Sequence, residues 1–266
     1  MPQPDEIQGF VVRQLTGWWR DTCVAGAFLT RLPFPAGPAA GDKHALAAAA
    51  RAFPLVGLIV GAGGAVALLA AAGIGLRPLA CAFIGVMLMT LATGALHEDG
   101  LADMADGLGG GGTAAQKLKI MKDARLGVFG VLALVFSVGL RVGVLGGFGS
   151  PEAAATALVA AACLSRGLLP AAMHFVEPAR KTGLAFKAGR PDQEAWVTAL
   201  ILGGLLAFLF LGPGGGAMAI VFGVAGAGLV VWLAWSQIGG ITGDVIGAQQ
   251  QVSEAAILIA AAAIVS

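Results

Sequence analysis

The chain has 266 residues, of which 58% are apolar and 12% charged, with a formal net charge of +1. Soluble domains carry about 25% charged residues, so a soluble globular protein is excluded. The near-neutral balance also excludes a polyelectrolyte partner such as nucleic acid.

The apolar residues fall in long blocks rich in Ala and Gly, not in alternating patterns, and 42 Gly supply small contact surfaces. Small residues let membrane helices approach closely. The expected fold class is therefore all-α: a polytopic helical membrane protein of about six to seven transmembrane helices with an N-terminal amphipathic helix. One integral membrane domain is expected over residues 1–266, since no repeat or linker divides the chain.

Residues 5–30 read as the amphipathic helix, with Trp18 and Trp19 beside Arg13 and Arg20 for the membrane interface. Asp5, Glu6 and Asp21 break its apolar run, so it does not read as a cleavable signal peptide. Arg31-Leu32-Pro33-Phe34-Pro35 ends it, because proline has no N–H to give. Residues 36–45 read as a polar loop. Candidate spans follow at 54–73, 78–96, 128–148, 153–173, 195–211 and 217–238. Each approaches the ~20 residues a bilayer needs. A last helix is expected from 244 to the C-terminus, polar in its first half and apolar in its second.

Lys117, Lys119, Lys122, Arg125, Arg180, Lys181, Lys187 and Arg190 all fall in alternate connections. The intervening ones carry only Arg77 and Glu152. The positive-inside rule places the charged side and the N-terminus in the cytoplasm, and the expected location is the cytoplasmic (inner) membrane. Trp196, Trp232 and Trp235 lie at span ends on that side. Cys23, Cys81 and Cys163 form no CxxC pair and read as small buried hydrophobes.

The stretch 97–107, His-Glu-Asp-Gly-Leu-Ala-Asp-Met-Ala-Asp-Gly, carries the chemistry. At about 100° per residue, Asp99, Asp103 and Asp106 share one narrow helical stripe. Three like charges on one stripe call for a cation among them. Carboxylate oxygens alone favour Mg²⁺ or Mn²⁺ over zinc. A solvated helix end is the plain alternative. The run from Gly107 through Gly109 and Gly110 to Gly112 reads either as a loose loop or as backbone turned toward a phosphate. Of the next charged residues, Lys117 and Lys119 suit topology alone. Lys122, Asp123 and Arg125 are close enough to a span to face the site. Arg125 suits a pyrophosphate, and Asp123 is either a further metal ligand or the partner of Arg125.

Arg141 and Arg166 lie inside predicted spans, where a charge costs at least about 2.5–3.5 kcal/mol on insertion scales. Arg166 is the better candidate for a polar cavity, and Arg141 for snorkelling or pairing with an acid. In Gly239-Gly240-Ile241-Thr242-Gly243-Asp244, Thr242 is placed to cap the last helix, whose N-terminus favours an anion. His97 lies off the aspartate stripe. There is no nucleophile elbow, and no GKS or GKT follows the glycines, which excludes a P-loop NTPase.

These motifs resemble the cobalamin synthase family, also called adenosylcobinamide-GDP ribazoletransferase or cobalamin-5'-phosphate synthase. His97-x-Asp99-Gly100-Leu101-Ala102-Asp103-x-Ala105-Asp106-Gly107 matches its hallmark. Lys122-Asp123-x-Arg125-x-Gly127-x-x-Gly130 matches a second block, and Gly239-Gly240-x-Thr242-Gly243-Asp244-x-x-Gly247 a third. Phe28-Leu29-Thr30-Arg31-Leu32-Pro33 and Phe53-Pro54-Leu55-Val56-Gly57 fit its N-terminal pattern. Glu98, Met104 and Ile241 depart from it.

The resemblance implies a Mg²⁺-dependent transfer at the membrane. Adenosylcobinamide-GDP and α-ribazole, or its 5'-phosphate, give adenosylcobalamin, or its 5'-phosphate, and GMP. Asp99, Asp103, Asp106 and Asp123 are the implied metal ligands. Asp106 is the first candidate for general base and His97 the second, with Arg125 acting on the diphosphate. Gly107, Gly109, Gly110, Lys122, Arg125, Arg166, Thr242 and Asp244 are the implied substrate contacts. A second copy of the chain and other cobalamin-assembly enzymes are open as further partners.

Two other classes compete. A CDP-alcohol phosphatidyltransferase also spaces aspartates at a membrane face, but its DG–AR–paired-Asp pattern is not met. A transporter would place its polar site near the midplane, whereas these acids cluster at one face.

Overall fold

The computed structural model describes residues 4–35 and 43–265, and the side chains of 15–35 and 44–264. Most of the expected 36–45 loop, and the Asp5, Glu6 and Arg13 side chains, lie outside what is described.

The described residues form twelve α-helices: α1 (Pro4–Leu29), α2 (Lys43–Ala49), α3 (Phe53–Gly73), α4 (Pro78–Thr93), α5 (Leu96–Gly110), α6 (Ala114–Ile120), α7 (Val128–Gly146), α8 (Pro151–Gly167), α9 (Leu169–Phe175), α10 (Leu184–Ala188), α11 (Gln193–Ile238) and α12 (Gly243–Val265). α1 is held to the start of α3 by Arg51, which pairs with Asp21 at 2.8 Å and stacks over Trp18.

Among the described residues, four helices are long and apolar enough to cross a membrane: His44–Gly73, Val128–Gly146, Pro151–Phe175 and Gln193–Ile238. The bent pair α4–α5 makes a fifth if it counts as one span. This differs from six to seven for three physical reasons. The 46-residue α11 is broken at Gly212 (φ 70°), just before Pro213. Its arms fold back on each other, so that a Cβ at Gly216 would lie 2.8 Å from the Phe208 Cα. The expected spans 195–211 and 217–238 are therefore both present within one assigned helix. α4 stops at Thr93, short of the expected 96. α12 carries Asp244, three glutamines and Glu254, too much polarity to meet the same criterion.

The helices pack on small residues. A Cβ at Gly57 of α3 would lie 2.3 Å from the Ala162 carbonyl oxygen of α8. Approach this close gains dispersion contacts that lipid cannot match. The alternating breaks fall at opposite ends of the bundle. All the basic residues singled out in the sequence, Lys117 to Arg190, belong to the end that carries α5, α6 and α10.

The turn between α4 and α5 sets the site. Gly94 (φ 63°) and Ala95 (φ 57°) are consecutive left-handed residues, and α5 leaves at 89° to α4. Ala95 is the only described non-glycine residue with positive φ. Such a conformation costs of order 1–3 kcal/mol, and its place one turn before Asp99 marks a functional segment. The turn closes with Ala95 N–H donating to the Thr90 carbonyl at 2.8 Å. As a result α5 lies across the charged end of the bundle, against α12 and α7, instead of continuing through it.

Candidate active site

α5 presents its three aspartates in graded burial. Asp99 is exposed, Asp103 is half-buried and Asp106 is buried. Asp99 and Asp103 line a cavity of about 490 Å³, whose far wall is the α6–α7 turn with Lys122, Asp123 and Arg125. Acids face bases across one opening, and Ala102, Leu126 and Leu134 supply its apolar part.

Asp244 joins the acids from α12. Gly100 and Gly247 make this possible, because the two helices touch backbone to backbone there. A Cβ at Gly100 would meet the Asp244 carbonyl oxygen at 2.8 Å, and one at Gly247 would meet the Gly100 Cα at 3.2 Å. Burial, and then the like charges of Asp99, Asp244 and Asp106, push the Asp103 carboxyl up from 3.8 to about 7, against the pull of Arg180. The Asp244 carboxylate accepts hydrogen bonds from Arg180 at 3.2 Å and Thr242 at 3.1 Å.

Several expected roles change. Asp106 Oδ2 accepts from the Gly127 N–H at 2.7 Å and Oδ1 from the Gly130 N–H at 2.8 Å. Both oxygens cap the N-terminus of α7, which favours a negative charge. Asp106 is thus turned away from the cavity, and its carboxylate is committed to backbone. The glycines of the second motif serve this contact, since a Cβ at either would come within 2.4 Å of the carboxylate.

Gly107, Gly109 and Gly110 are not a phosphate-cradling loop. They end α5, where helical N–H groups are already bonded, as Gly111 N–H is to the Gly107 carbonyl. Gly107 and Gly109 give room to Met121 and Phe129 instead. His97 is buried, 2% exposed, and does not line the cavity. Its nearest opening is a small apolar one walled by Phe28, Leu96 and Met173.

Asp123 holds Arg125, with Nη2 to Oδ2 at 2.7 Å. Hydrogen bonds from Arg125 draw the Asp123 carboxyl down to about 2. Lys122 and Arg125 are exposed at the cavity mouth. Thr242 accepts the Val245 N–H at 3.3 Å and so caps α12 as expected, and it is buried.

Arg166 does not face a substrate cavity. Arg141 donates to Glu254 at 3.0 Å and Glu98 at 3.3 Å, and Arg166 to the other Glu254 oxygen at 3.4 Å. Gln250 and Gln251 donate to the same two carboxylates, at 2.6 and 3.2 Å. All six side chains are buried, and the four charges cancel. This network joins α5, α7, α8 and α12. Its acids carry a sequence signal that reading by motif missed. Two intramembrane arginines need two acids, and Glu98 and Glu254 each border an apolar block on one side, residues 78–96 and 255–265.

The donor chemistry at the cavity is carboxylate oxygen, which suits a hard divalent cation. The like charges that add to burial in raising Asp103 are what such a cation would offset. Among the described residues, no three His, Cys, Asp or Glu side chains are close enough to hold an ion as they stand.

Fold and site together define a polytopic helical membrane protein with an acid-and-base-lined cavity at one end of the bundle. The family model for cobalamin-5-phosphate synthase matches residues 21–262. The chain belongs to that family. It is 44% identical over 244 residues to the adenosylcobinamide-GDP ribazoletransferase of Bradyrhizobium diazoefficiens, covering 91% of this chain and 93% of that one. To the protein of the same name from Azorhizobium caulinodans it is 45% identical over 248 residues, covering 90% and 94%. To that of Rhizobium etli it is 41% identical over 249 residues, covering 91% and 96%. No solved structure matches the chain.

Proposed function

We propose that the chain is an adenosylcobinamide-GDP ribazoletransferase, carrying out the nucleotide-loop assembly step of vitamin B12 synthesis. It transfers the cobinamide phosphate to α-ribazole, or its 5'-phosphate, and releases GMP. The observation that carries this reading is the cavity in which Asp99 and Asp103 face Lys122 and Arg125. Acids that gather a cation and bases that grip phosphate oxygens are the two parts that diphosphate exchange needs.

Asp99 and Asp103 are the residues that would hold Mg²⁺, with Asp244 next to them. Once bound, the ion neutralises charge on the diphosphate and its leaving oxygen. The protein's own groups do the rest. Lys122 and Arg125 hold the phosphates, and Asp123 keeps the Arg125 fork in one orientation. Asp106 fixes α7 against α5, so the basic turn stays opposite the acids. A ribose hydroxyl forms the new O–P bond at the cobinamide phosphate and releases its proton to solvent, while the bond from that phosphorus to the bridging oxygen breaks and GMP leaves with that oxygen. The apolar wall lets a large amphipathic corrinoid sit half in lipid.

The clustering of basic residues at this end supports a multi-pass protein of the cytoplasmic membrane with the site facing the cytoplasm. The test is purified protein in lipid nanodiscs, given Mg²⁺, α-ribazole and either adenosylcobinamide-GDP or CDP-diacylglycerol. GMP and adenosylcobalamin are expected from the first. Release of CMP, or of no nucleotide at all, overturns the reading.

A further inference from the structure

The loop between α9 and α11 is tied to the start of α12. Ala179 N–H donates to the Ile241 carbonyl at 2.8 Å, and Ile241 N–H to the Glu177 carbonyl at 3.0 Å. This parallel bridge leaves no room beside Gly240, where a Cβ would fall 2.4 Å from the Glu177 oxygen. It fixes the backbone just before Arg180, whose Nη2 reaches Asp244 at 3.2 Å. Its Nε and Nη1 are buried and have no hydrogen-bond partner among the described residues. A buried donor left unpaired is costly, so this guanidinium is incomplete as it stands. Gly183, at φ 94°, turns the chain over it, and a Cβ there would come within 3.3 Å of Nε. The loop therefore carries no side chain on that face of the guanidinium.

We propose that Arg180 binds a phosphate group of the nucleotide diphosphate substrate, its Asp244 contact holding one corner while Nε and Nη1 are left for phosphate oxygens. This rests on the ribazoletransferase reading. Asp244 and Asp103 put Arg180 on the α12 flank of the acids, and Lys122 and Arg125 stand on the α7 flank. A diphosphate over the acids then meets cations on both sides. An arginine suits this place because its charge persists and its planar donors match phosphate geometry. Arg180 carried no signal in the sequence beyond membrane topology.

The test compares wild type, Arg180→Gln and Arg180→Lys as full-length chains in nanodiscs. GDP binding is measured by calorimetry in EDTA, and KM and kcat are measured with both substrates. Arg180→Gln is expected to weaken GDP binding at least about tenfold and to raise KM for adenosylcobinamide-GDP in step, with KM for α-ribazole unchanged. Arg180→Lys should recover part of the loss. GDP binding and KM unchanged in Arg180→Gln would overturn the inference and leave a hydrated structural strap. If Arg180→Gln does not assemble, Arg180→Lys decides: wild-type GDP affinity in it overturns the inference. A wild type that binds GDP but makes no adenosylcobalamin sinks the ribazoletransferase reading and leaves the Arg180 contact standing.

Discussion

The Oδ1 of Asp106 accepts the Gly130 N–H at 2.8 Å, joining the end of the acidic helix to the first turn of α7. An aspartate that looks catalytic by spacing is here the cap of another helix. Asp106→Ala is expected to cost about 1–2 kcal/mol, the usual worth of an N-cap. Asp106→Asn keeps one acceptor and should lose less. Thermal unfolding in detergent reads both, and an Asp106→Ala protein as stable as wild type would refute the capping role.

Gly100 has no space for a side chain. Gly100→Ala puts a methyl 2.8 Å from the Asp244 carbonyl oxygen and forces α5 off α12. The expected penalty is about 1–3 kcal/mol, with GMP release falling because Asp244 and Asp103 move apart. Wild-type turnover in this variant would show that the two acids do not work together.

The buried network predicts an asymmetry. Glu254→Ala leaves Arg141 and Arg166 without their shared carboxylate and is expected to cost about 3–5 kcal/mol. Combining Glu254→Met with Arg166→Met removes one charge of each sign. It should be less damaging than the sum of the single changes. A double-mutant cycle on thermal stability measures the coupling, and simple additivity would mean that the pair does not interact.

Asp103 gives a pH dependence. Its carboxyl is raised from 3.8 to about 7, so between those values the folded chain keeps a proton that the unfolded chain has lost. The stability from that proton is full at acid pH and disappears as pH rises through about 7. A divalent cation must displace the same proton. Mn²⁺ affinity, read by electron paramagnetic resonance, should fall below about pH 7 by up to about tenfold per unit and level off above it. Asp103→Asn should flatten that profile and abolish GMP release while the protein stays membrane-inserted. Retained turnover would remove Asp103 from the metal site.

Arg125 is almost fully exposed and touches only Asp123 among the described ion pairs. Arg125→Ala should therefore leave stability unchanged and raise KM for adenosylcobinamide-GDP several-fold. An unchanged KM would reduce it to a topological charge.

The helical bundle was legible because lipid imposes it. Long apolar blocks, small residues and alternating charged loops follow from solvation alone. The placing of Asp99 and Asp103 on one wall of a cavity was legible from their spacing, and the capping by Thr242 from its place before a helix. Asp106 was misread because periodicity puts residues on a stripe but does not say which neighbour the end of that stripe meets. The Gly107–Gly110 run was misread because a backbone that looks flexible in isolation is held helical by packing on Met121 and Phe129. Arg166 looked like a ligand because its counter-charge, Glu254, lies 88 residues away, and only the fold brings the two together.

The placement of Glu254 bears on how the protein is made. Arg141 and Arg166 enter the membrane first during synthesis, and the acid they share arrives in the last helix described. Until then two guanidiniums have one carboxylate, Glu98, between them. The four buried charges therefore balance only once α12 is packed against α5, α7 and α8, so the helix that carries Asp244 to the cavity is also the one that neutralises the bundle's interior.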